Sequence, residues 1–304
     1  MPAVSIVMNC RNSARYLDEA LDSVYAQTFS DWEIVFWDNA STDESAAIAR
    51  QRDSRLRYFR SEEVLTLGAA RNRALDQCRG EFIAFLDTDD AWLPSKLEKQ
   101  LALFGDPEVG LVYSNCVIFT DGGARRLHYR SRAGYAVGHC FDELLSRYFL
   151  AMPAVMLRRA ALGARPDWFD EAFSVSEEGD LFLRIAQRWK LAMVPEVLAR
   201  YRVHAGSESR QRAERFLAEG MQILAKLRAT VPGFDRDHGE AGRRFLDWAR
   251  YSQALMRWRA GDGHGARDQL TQLSEHRLRH ALFWVLSFVP YRVAGPALAH
   301  LGKL

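Results

Sequence analysis

The chain contains 304 residues, of which 48% are hydrophobic and 26% are charged, proportions that are ordinary for a soluble globular protein. Its formal net charge of +2 gives no indication of a nucleic acid partner. The four cysteines are far apart and form no Cys-x-x-Cys pair, which argues against a zinc site or a disulfide framework. The first residues lack a basic segment followed by a long apolar core, so we expect no signal peptide and a cytoplasmic location.

The first part of the chain alternates between predicted strands and predicted helices. Short apolar runs that are typical of buried strands occur at 4–8, 33–37, 56–59 and 82–86. Signals for the start or end of intervening helices occur at Asn12 or Ser13, at a capping box over 41–44, and at Gly80 after a helix over 67–78. This alternation predicts a largely parallel sheet with helices on both faces.

The rest of the chain is mixed at first and then purely helical. Further elements are predicted as a helix from Pro94, strands at 109–119, 154–157 and 197–201, a loop at 121–138 and a helix at 177–187. From about residue 207 no strand signal remains, and three or four helices are predicted. We therefore predict two regions, 1–206 and 207–304. The charge differs between the two: residues 205–304 carry 16 Lys and Arg against 10 Asp and Glu, a net +6, which leaves −4 for residues 1–204.

An acidic cluster, Asp87-Thr88-Asp89-Asp90, follows the apolar run at 81–86. Open α/β sheets bind their ligands at the carboxyl ends of such strands. Three carboxylates this close repel one another unless a positive charge neutralises them. A hard divalent cation with oxygen ligands, together with a phosphate-bearing substrate, would do so. The simpler alternative is that Asp residues merely favour loops and helix starts.

Four other positions carry polar side chains at places where an α/β sheet could use them. Asp38 ends the second strand, and a capping turn at Ser41 would leave its carboxylate free to bind a base or ribose. Arg71 could bind a phosphate through its guanidinium or could be an ordinary surface residue. The acidic residues at 177–180 could supply a general base or simply complement a helix dipole. His204 follows the last predicted strand, where a single histidine is more often structural than functional.

In combination these segments resemble family 2 glycosyltransferases over about residues 3–208. The matching motifs, in chain order, are 4–12, 17–29, 33–38, 41–43, 68–72, 85–90, 177–184 and 201–204. The resemblance implies a GT-A fold, that is, a Rossmann-like α/β fold with a mixed, mainly parallel sheet flanked by helices, here with an α-helical C-terminal appendage. It also implies an inverting transferase that uses a nucleotide-sugar donor, with a UDP-sugar as first choice, and a divalent cation, Mn²⁺ or Mg²⁺.

The resemblance also implies roles for individual residues. The positions that would contact the donor are Asn9 and Arg11 near the nucleoside, Asp38 at the base, Arg71 at the diphosphate, Asp89 at ribose or sugar, and Asp87, which would orient the loop or the donor. Asp90 would bind the metal, and His204 would approach the metal or the diphosphate. The C-terminal third, 207–304, matches no motif.

The position of the catalytic base departs from the family pattern. The base is usually an Asp preceded by Glu, six residues before an Arg; here Arg184 sets the register and Glu178 occupies that position. Because Glu is longer by one methylene, Asp180 is retained as the alternative base. In either case the base would deprotonate an acceptor hydroxyl, which attacks the anomeric carbon from the face opposite the leaving group.

The expected activity is sugar transfer to a saccharide or lipid-linked acceptor in surface polysaccharide or glycolipid assembly. The alternative is a non-catalytic nucleotide-sugar-binding scaffold or sensor. A dinucleotide-dependent oxidoreductase is disfavoured because the turn after the first strand lacks Gly-x-Gly-x-x-Gly. The tail at 277–304 mixes basic and apolar residues, so it could lie at the cytoplasmic face of a membrane, or it could cover the catalytic domain or a partner subunit.

Overall fold

The computed structural model describes residues 1–129, 136–164, 168–204, 206–207, 212–275 and 278–300. The chain divides into two compact units. One comprises residues 1–144 with 149–207, and the other comprises 145–148 with 208–304. The assignment of 1–206 as a catalytic domain remains a prediction.

The first unit is built on a nine-stranded sheet with the strand order β3-β2-β1-β4-β8-β6-β9-β5, in which β7 pairs with β6. The strands are β1 Val4–Cys10, β2 Trp32–Asp38, β3 Leu56–Arg60, β4 Phe82–Phe85, β5 Ala91–Trp92, β6 Val109–Phe119, β7 Arg125–Leu127, β8 Val155–Arg158 and β9 Lys190–Arg202. The helices are α1 Ala14–Tyr25, α2 Ser45–Arg50, α3 Leu67–Gln77, α4 Lys96–Leu101, α5 Phe141–Ser146 and α6 Glu177–Ala186, of which the end of α5 falls in the second unit. Short 3₁₀ helices are present at Ala102–Gly105, Met152–Ala154, Arg159–Leu162 and Ala213–Arg215.

The predicted alternation of strands and helices is confirmed in the first half of the sheet. Strands β1 to β4 pair in parallel in the order β3-β2-β1-β4. Their apolar runs are buried, as expected for strands covered on both faces. In the second half, β8 runs antiparallel to both β4 and β6, whereas β9 runs parallel to β6. The sheet is therefore mixed.

Two helices start later than predicted, α2 because its expected capping side chains are used elsewhere and α4 because a short strand precedes it. Helix α2 begins at Ser45, with no side-chain cap, and not at the capping box over 41–44. There the Ser41 hydroxyl accepts a hydrogen bond from the backbone of Asn12 (3.1 Å), and Asp43 accepts one from the backbone of Ala14 (3.0 Å), at the start of α1. Helix α4 begins at Lys96, after Pro94, because the short strand β5 first pairs with β9.

Three further predictions are corrected by strand pairing and close packing. The segment 121–138 was predicted to be a loop, but it contains β7, which pairs with β6; residues 130–135 lie outside the described residues. Strand β9 is longer than the predicted 197–201, and Pro195 lies where its pairing with β6 changes register, a position that tolerates proline. Gly80 is not a helix cap: a Cβ there would lie 2.6 Å from the backbone nitrogen of Ser5.

The second unit contains six α-helices among its described residues, more than the three or four predicted. They are α7 Phe216–Thr230, α8 Phe234–Asp237, α9 Gly239–Arg259, α10 Gly263–Thr271, α11 Leu278–Leu286 and α12 Tyr291–His300. Trp258 and Phe283 pack at the centre of an apolar cluster formed by α9, α10 and α11. Over the described ranges of the chain, none of the helices has both the length and the apolar character needed to cross a membrane.

Candidate functional site

The carboxyl ends of three parallel strands meet at one edge of the sheet. In the β1–β2 ladder Cys10 lies opposite Asp38, and in the β1–β4 ladder Val7 lies opposite Phe85. The acidic loop 87–90 follows β4 directly. The side chains predicted to contact the donor therefore project from neighbouring strand ends, where open α/β sheets bind their ligands.

Asp38 is completely buried and is not free, in contrast to the prediction. Its carboxylate accepts hydrogen bonds from the backbone of Ser41 (2.8 Å), from Arg60 (2.8 Å) and from the Tyr58 hydroxyl. Burial alone would raise the pKa of Asp38, but the bonds from Ser41 and Tyr58 and the charge of Arg60 hold that pKa below its usual value. The carboxylate itself closes the turn after β2, so it must exchange a partner to contact a base.

Asn9 and Arg11 lie at the end of β1 and just beyond it. Asn9 pairs with Trp37 in the ladder, and its buried amide nitrogen has no acceptor among the described residues. Arg11 is exposed in the following loop, which is fixed where Asn12 (φ 52°) accepts a hydrogen bond from the backbone of Thr42 (2.8 Å). The contacts of Asn9 and Arg11 with a nucleoside remain predictions.

The acidic loop contains one buried carboxylate oxygen that is not satisfied by the described part of the protein. Asp90 is only 1% exposed; its Oδ1 accepts a hydrogen bond from the backbone nitrogen of Arg202 (2.7 Å), whereas its Oδ2 has no donor there. Burial, followed by the charges of Asp89 and Asp87, raises the pKa of Asp90 well above its usual value. A bound cation would reverse this shift because it favours the ionised carboxylate.

Asp89 and His204 contact each other directly, with 3.0 Å between Oδ2 and Nε2. Burial and the charge of Asp87 raise the pKa of Asp89, and the bond to His204 opposes that shift. Among the described residues, no three His, Cys, Asp or Glu side chains lie close enough together to hold a metal ion. The residues therefore fit a cation that takes one or two ligands from the protein and the remainder from a diphosphate and water, as Mg²⁺ commonly does.

Arg71 is 3% exposed, so the surface alternative is wrong. One guanidinium nitrogen lies 2.5 Å from Glu177 Oε1 and the other lies 3.1 Å from Asp87 Oδ1. Burial would lower the pKa of Arg71, but the nearby carboxylates of Asp87 and Glu177 raise it above its usual value. Arg71 thus links the acidic loop to the first turn of α6, and its contact with a diphosphate remains a prediction.

The neighbours of Arg71 hold the segment that leads to α6, a role that was not predicted. The Asn72 side chain donates a hydrogen bond to the backbone carbonyl of Phe169 (2.9 Å) and accepts one from the backbone nitrogen of Phe169 (3.0 Å). A Cβ on Gly68 would lie 2.9 Å from the carbonyl oxygen of Asp170. The short sequence 68–72 was recognised as a motif, but its partners are about 100 residues away and could not be identified from spacing alone.

The two candidates for the catalytic base lie in the first turn of α6 and differ in their surroundings. Asp180 is 2% exposed and accepts hydrogen bonds from Arg184 at 2.9 and 3.1 Å. Arg184 also donates to the carbonyl of Trp168, at 2.5 Å. Glu178 is only partly buried. The Asp180–Arg184 pair is therefore part of the helix packing, whereas Glu178 retains contact with solvent.

A second residue missed from the sequence, Arg202, lies behind the acidic loop. Its Nε donates to the backbone carbonyl of Asp89 (2.9 Å) and its Nη1 donates to Asp121 (2.7 Å); it also pairs with Glu19. It lies within the motif 201–204, but its contact with the loop arises from the pairing of β9 with β5 and β6, which the sequence does not show.

Comparisons with known proteins agree on one family. The family model described as glycosyl transferase family 2 matches residues 5–163. The chain is 30% identical over 209 residues to an uncharacterised glycosyltransferase of Methanocaldococcus jannaschii, which covers 66% of this chain and 71% of that protein. It is also 34% identical over 119 residues to the Escherichia coli UDP-Glc:alpha-D-GlcNAc-diphosphoundecaprenol beta-1,3-glucosyltransferase WfgD, covering 39% of this chain and 47% of that protein.

Two solved structures share the fold. The TarS fragment 1–349 of S. aureus in complex with UDP-GlcNAc superposes with a TM-score of 0.67 at 16% identity, covering 98% of this chain and 91% of that one. The mannosyltransferase PcManGT of Pyrobaculum calidifontis, in complex with GDP-Man and Mn²⁺, gives 0.62 at 20% identity, covering 99% and 85%. The GT-A fold predicted from the sequence is confirmed. The chain belongs to glycosyl transferase family 2 and is a glycosyltransferase.

Proposed function

We propose that this enzyme transfers a sugar from a nucleotide-sugar donor, with a UDP-sugar as first choice, to an acceptor hydroxyl with inversion of configuration. One observation carries the proposal. The Asp89–His204 contact of 3.0 Å and the Asp87–Arg71–Glu177 bridge join the acidic loop both to the end of β9 and to α6. The residues proposed for donor binding and for the base thereby belong to one connected site.

Metal assistance is the second part of the proposal. The unsatisfied Asp90 Oδ2 supports Asp90 as a ligand of Mn²⁺ or Mg²⁺, with Asp89 and His204 beside it. A bound divalent cation would neutralise the charge that develops on a leaving diphosphate. In this proposal the protein's own residues orient the donor, with Asp89 facing the ribose or sugar and Asn9 and Arg11 facing the nucleoside.

Glu178 is the proposed general base, and Asp180 is the weaker candidate. The Asp180 carboxylate already accepts two hydrogen bonds from Arg184, so using it as a base would break an ion pair within the helix. Glu178 lies two residues earlier, in the same turn, and is more accessible. We infer that its carboxylate removes the proton of the acceptor hydroxyl as that oxygen attacks the anomeric carbon.

Donor-dependent stabilisation tests donor binding and metal dependence together. The melting temperature is measured with nucleoside diphosphates and nucleotide sugars, each with Mn²⁺, with Mg²⁺ and with EDTA. A ligand at about 100 times its Kd should stabilise the folded state by about 2.7 kcal/mol. We expect one UDP-linked sugar to raise the melting temperature only when metal is present. Equal stabilisation in EDTA would contradict metal dependence, and stabilisation by GDP-sugars alone would replace UDP by GDP.

The proposed acceptor is a lipid-linked saccharide at the cytoplasmic face of a membrane. The name of the relative WfgD describes transfer to a diphosphoundecaprenol-linked sugar. In this chain, residues 276–304 carry four Lys and Arg but no Asp or Glu. Apolar side chains of α11, α12 and their connection are exposed, among them Val285 (58%), Phe288 (60%) and Val293 (70%). Exposed apolar groups beside basic ones are typical of membrane-interface segments. Residues 276, 277 and 301–304 of this segment lie outside the described residues.

Vesicle flotation with the full chain tests this contact. The variant Val285→Ser/Phe288→Ser removes exposed apolar area without touching the buried Phe283. The control Trp248→Ser removes an aromatic side chain that is also exposed (46%), but on α9. We expect wild type and the control to float with vesicles that contain anionic lipid, and the double variant to remain behind. Equal flotation of all three proteins would refute the contact, and so would a lack of dependence on anionic lipid.

A further inference from the structure

The loop that carries Asp89 and Asp90 is contacted by Arg202 of β9, on whose main chain and side chain both acidic residues depend. The Arg202 guanidinium donates to the backbone carbonyl of Asp89 at 2.9 Å, and the Arg202 backbone nitrogen donates to the Asp90 carboxylate at 2.7 Å. One residue of β9 thus contacts both acidic residues, while its side chain leaves the Asp90 Oδ2 untouched.

Arg202 is itself fixed on the side away from the loop. Its guanidinium bonds to Asp121 (2.7 Å) and to Glu19. It also lies between two rings, 4.4 Å from the centroid of Tyr16 and 4.5 Å from that of Phe119. Tyr16 in turn donates to Asp121 at 2.6 Å. Because Arg202 is 7% exposed, these contacts leave its side chain little freedom.

This arrangement does more than neutralise charge. A simple counter-ion for Asp89 or Asp90 would approach a carboxylate oxygen, but the Arg202 guanidinium binds the main chain of Asp89 and leaves the Asp89 carboxylate to His204. Groups that hold a metal ligand in place from outside affect metal affinity strongly although they never touch the metal. We infer that Arg202 is a positioning residue, which keeps the 87–90 loop in the conformation that binds the donor diphosphate and its cation.

The same strand offers a matched control, Arg200. Its side chain shares two partners with Arg202, since it bonds to Glu19 (2.9 Å) and lies 4.6 Å from the centroid of Phe119. Among the described residues, the Arg200 side chain donates a hydrogen bond to Glu19 and none to the 87–90 loop. Arg200→Met therefore removes a cation from the same neighbourhood without removing a bond to Asp89.

The first experiment follows the loop without any ligand. Hydrogen–deuterium exchange is measured for the peptide covering residues 85–92 in wild type, Arg202→Met and Arg200→Met. The amide of Asp90, which donates to the Asp87 carbonyl at 3.0 Å, should exchange faster in Arg202→Met alone. Unchanged exchange in Arg202→Met, or an equal increase in Arg200→Met, would overturn the inference. If Arg202→Met does not fold, Arg202→Lys, which keeps a cation beside Asp121 and Glu19, is measured with the same expectation.

The second experiment uses titration calorimetry of UDP with and without Mn²⁺. The inference rests on the proposed function here, and we expect Arg202→Met to weaken Mn²⁺-dependent UDP binding by about 10- to 100-fold at a temperature at which the ligand-free variant is fully folded. Arg200→Met should bind as wild type does. If wild type itself shows no Mn²⁺ dependence, the proposed function fails, while the exchange data still decide whether Arg202 positions the loop. If Arg202→Met binds UDP with Mn²⁺ as tightly as wild type does, the inference about Arg202 is overturned, while the proposed function stands.

Discussion

Two acidic segments of similar composition, the loop 87–90 and the first turn of α6 at 177–180, are neutralised in different ways. In α6, Glu177 pairs with the buried Arg71 and Asp180 pairs with Arg184. In the loop, Asp87 shares Arg71 and Asp89 contacts His204, but Asp90 keeps one buried oxygen without a donor in the described part of the chain. An acidic cluster in a sequence therefore does not by itself indicate a cation site; what matters is how much of its charge the fold already balances.

The largest effect that would sharpen this contrast is on turnover. Glu178→Gln should lower kcat by about 10²- to 10⁴-fold, the usual contribution of a general base, with little change in the donor KM. Asp180→Asn should lower kcat far less, because its carboxylate is bound to Arg184. Steady-state transfer assays of both variants provide the measurement. Full turnover in Glu178→Gln, or a greater loss in Asp180→Asn, would reverse the assignment.

Removing Arg71, the cation that the two acidic segments share, should lower the free energy of unfolding more than any other substitution considered. Arg71→Met removes the guanidinium from the Glu177 carboxylate, which is only 4% exposed, and removing one partner of a buried ion pair costs about 3–5 kcal/mol. Urea unfolding measures the free energy of unfolding. The double variant Arg71→Met/Glu177→Gln should recover part of the loss, because it also removes the negative charge that Arg71 neutralises. If the double variant is as unstable as the single one, Glu177 is not the group that Arg71 neutralises.

Asp90→Asn should have opposite effects on metal binding and on metal-free stability. It removes a carboxylate whose burial is unfavourable, so the metal-free protein should melt at the same temperature or higher. Loss of a metal ligand should nevertheless reduce Mn²⁺-dependent UDP affinity by at least about tenfold. Calorimetry and thermal melting on the same samples provide the test. Destabilisation without loss of metal dependence would mean that Asp90 is a structural residue of the loop.

Asp38, the third acidic position at this edge, should give the smallest effect. Its pKa is lowered in the folded state, so its contribution is present above the unfolded-state pKa of about 3.9 and is lost as the pH falls through the lower folded-state pKa. Asp38→Asn should cost about 1.5–3 kcal/mol at pH 7, the usual range for hydrogen bonds to a charged group, and the two proteins should converge below about pH 4. Unfolding curves from pH 2 to 7 would show this. A constant difference across that range would contradict it.

The parts of the fold that the sequence predicts well are those encoded locally. Strands such as 32–38 were recognised because a short run of apolar, β-branched and aromatic residues is good evidence for a buried strand. Strands β5 and β7 were missed because Ala91–Trp92 and Arg125–Leu127 become strands only by pairing with β9 and β6. In the C-terminal region, short helices such as Phe234–Asp237 are too brief for periodicity to resolve.

For the candidate site, the sequence predicts positions but not contacts. It predicts which polar residues lie at or just after strand ends, as the structure shows for Asp38, Asp89 and His204, whereas the binding roles of these residues and of Asp90 remain predictions. The sequence does not show which side chains contact one another. The bridge from Arg71 to Asp87 and Glu177 arises from long-range packing. So do the hydrogen bonds from Tyr58 and Arg60 to the Asp38 carboxylate. Arg202 was passed over because nothing in a strand sequence distinguishes it from Arg200, which lies on the same face but for which no bond to Asp89 is among the described contacts.

The irregular pairing of β9 with β6 determines which way that strand presents its last residues. Ser114 pairs with Val194 and Cys116 pairs with Ala199, so β9 contains three more residues than its neighbour over this stretch. Paired residues of a ladder point to the same face, so Val194 and Ala199, five residues apart, share a face on which regular alternation would place only one of them. The same pairing sets the face of Arg202, which lies opposite Phe119. The consequence is a constraint on register: a one-residue slip of β9 against β6 beyond Cys116 would turn Arg202 to the other face of the sheet, although every residue would still be present in the sequence.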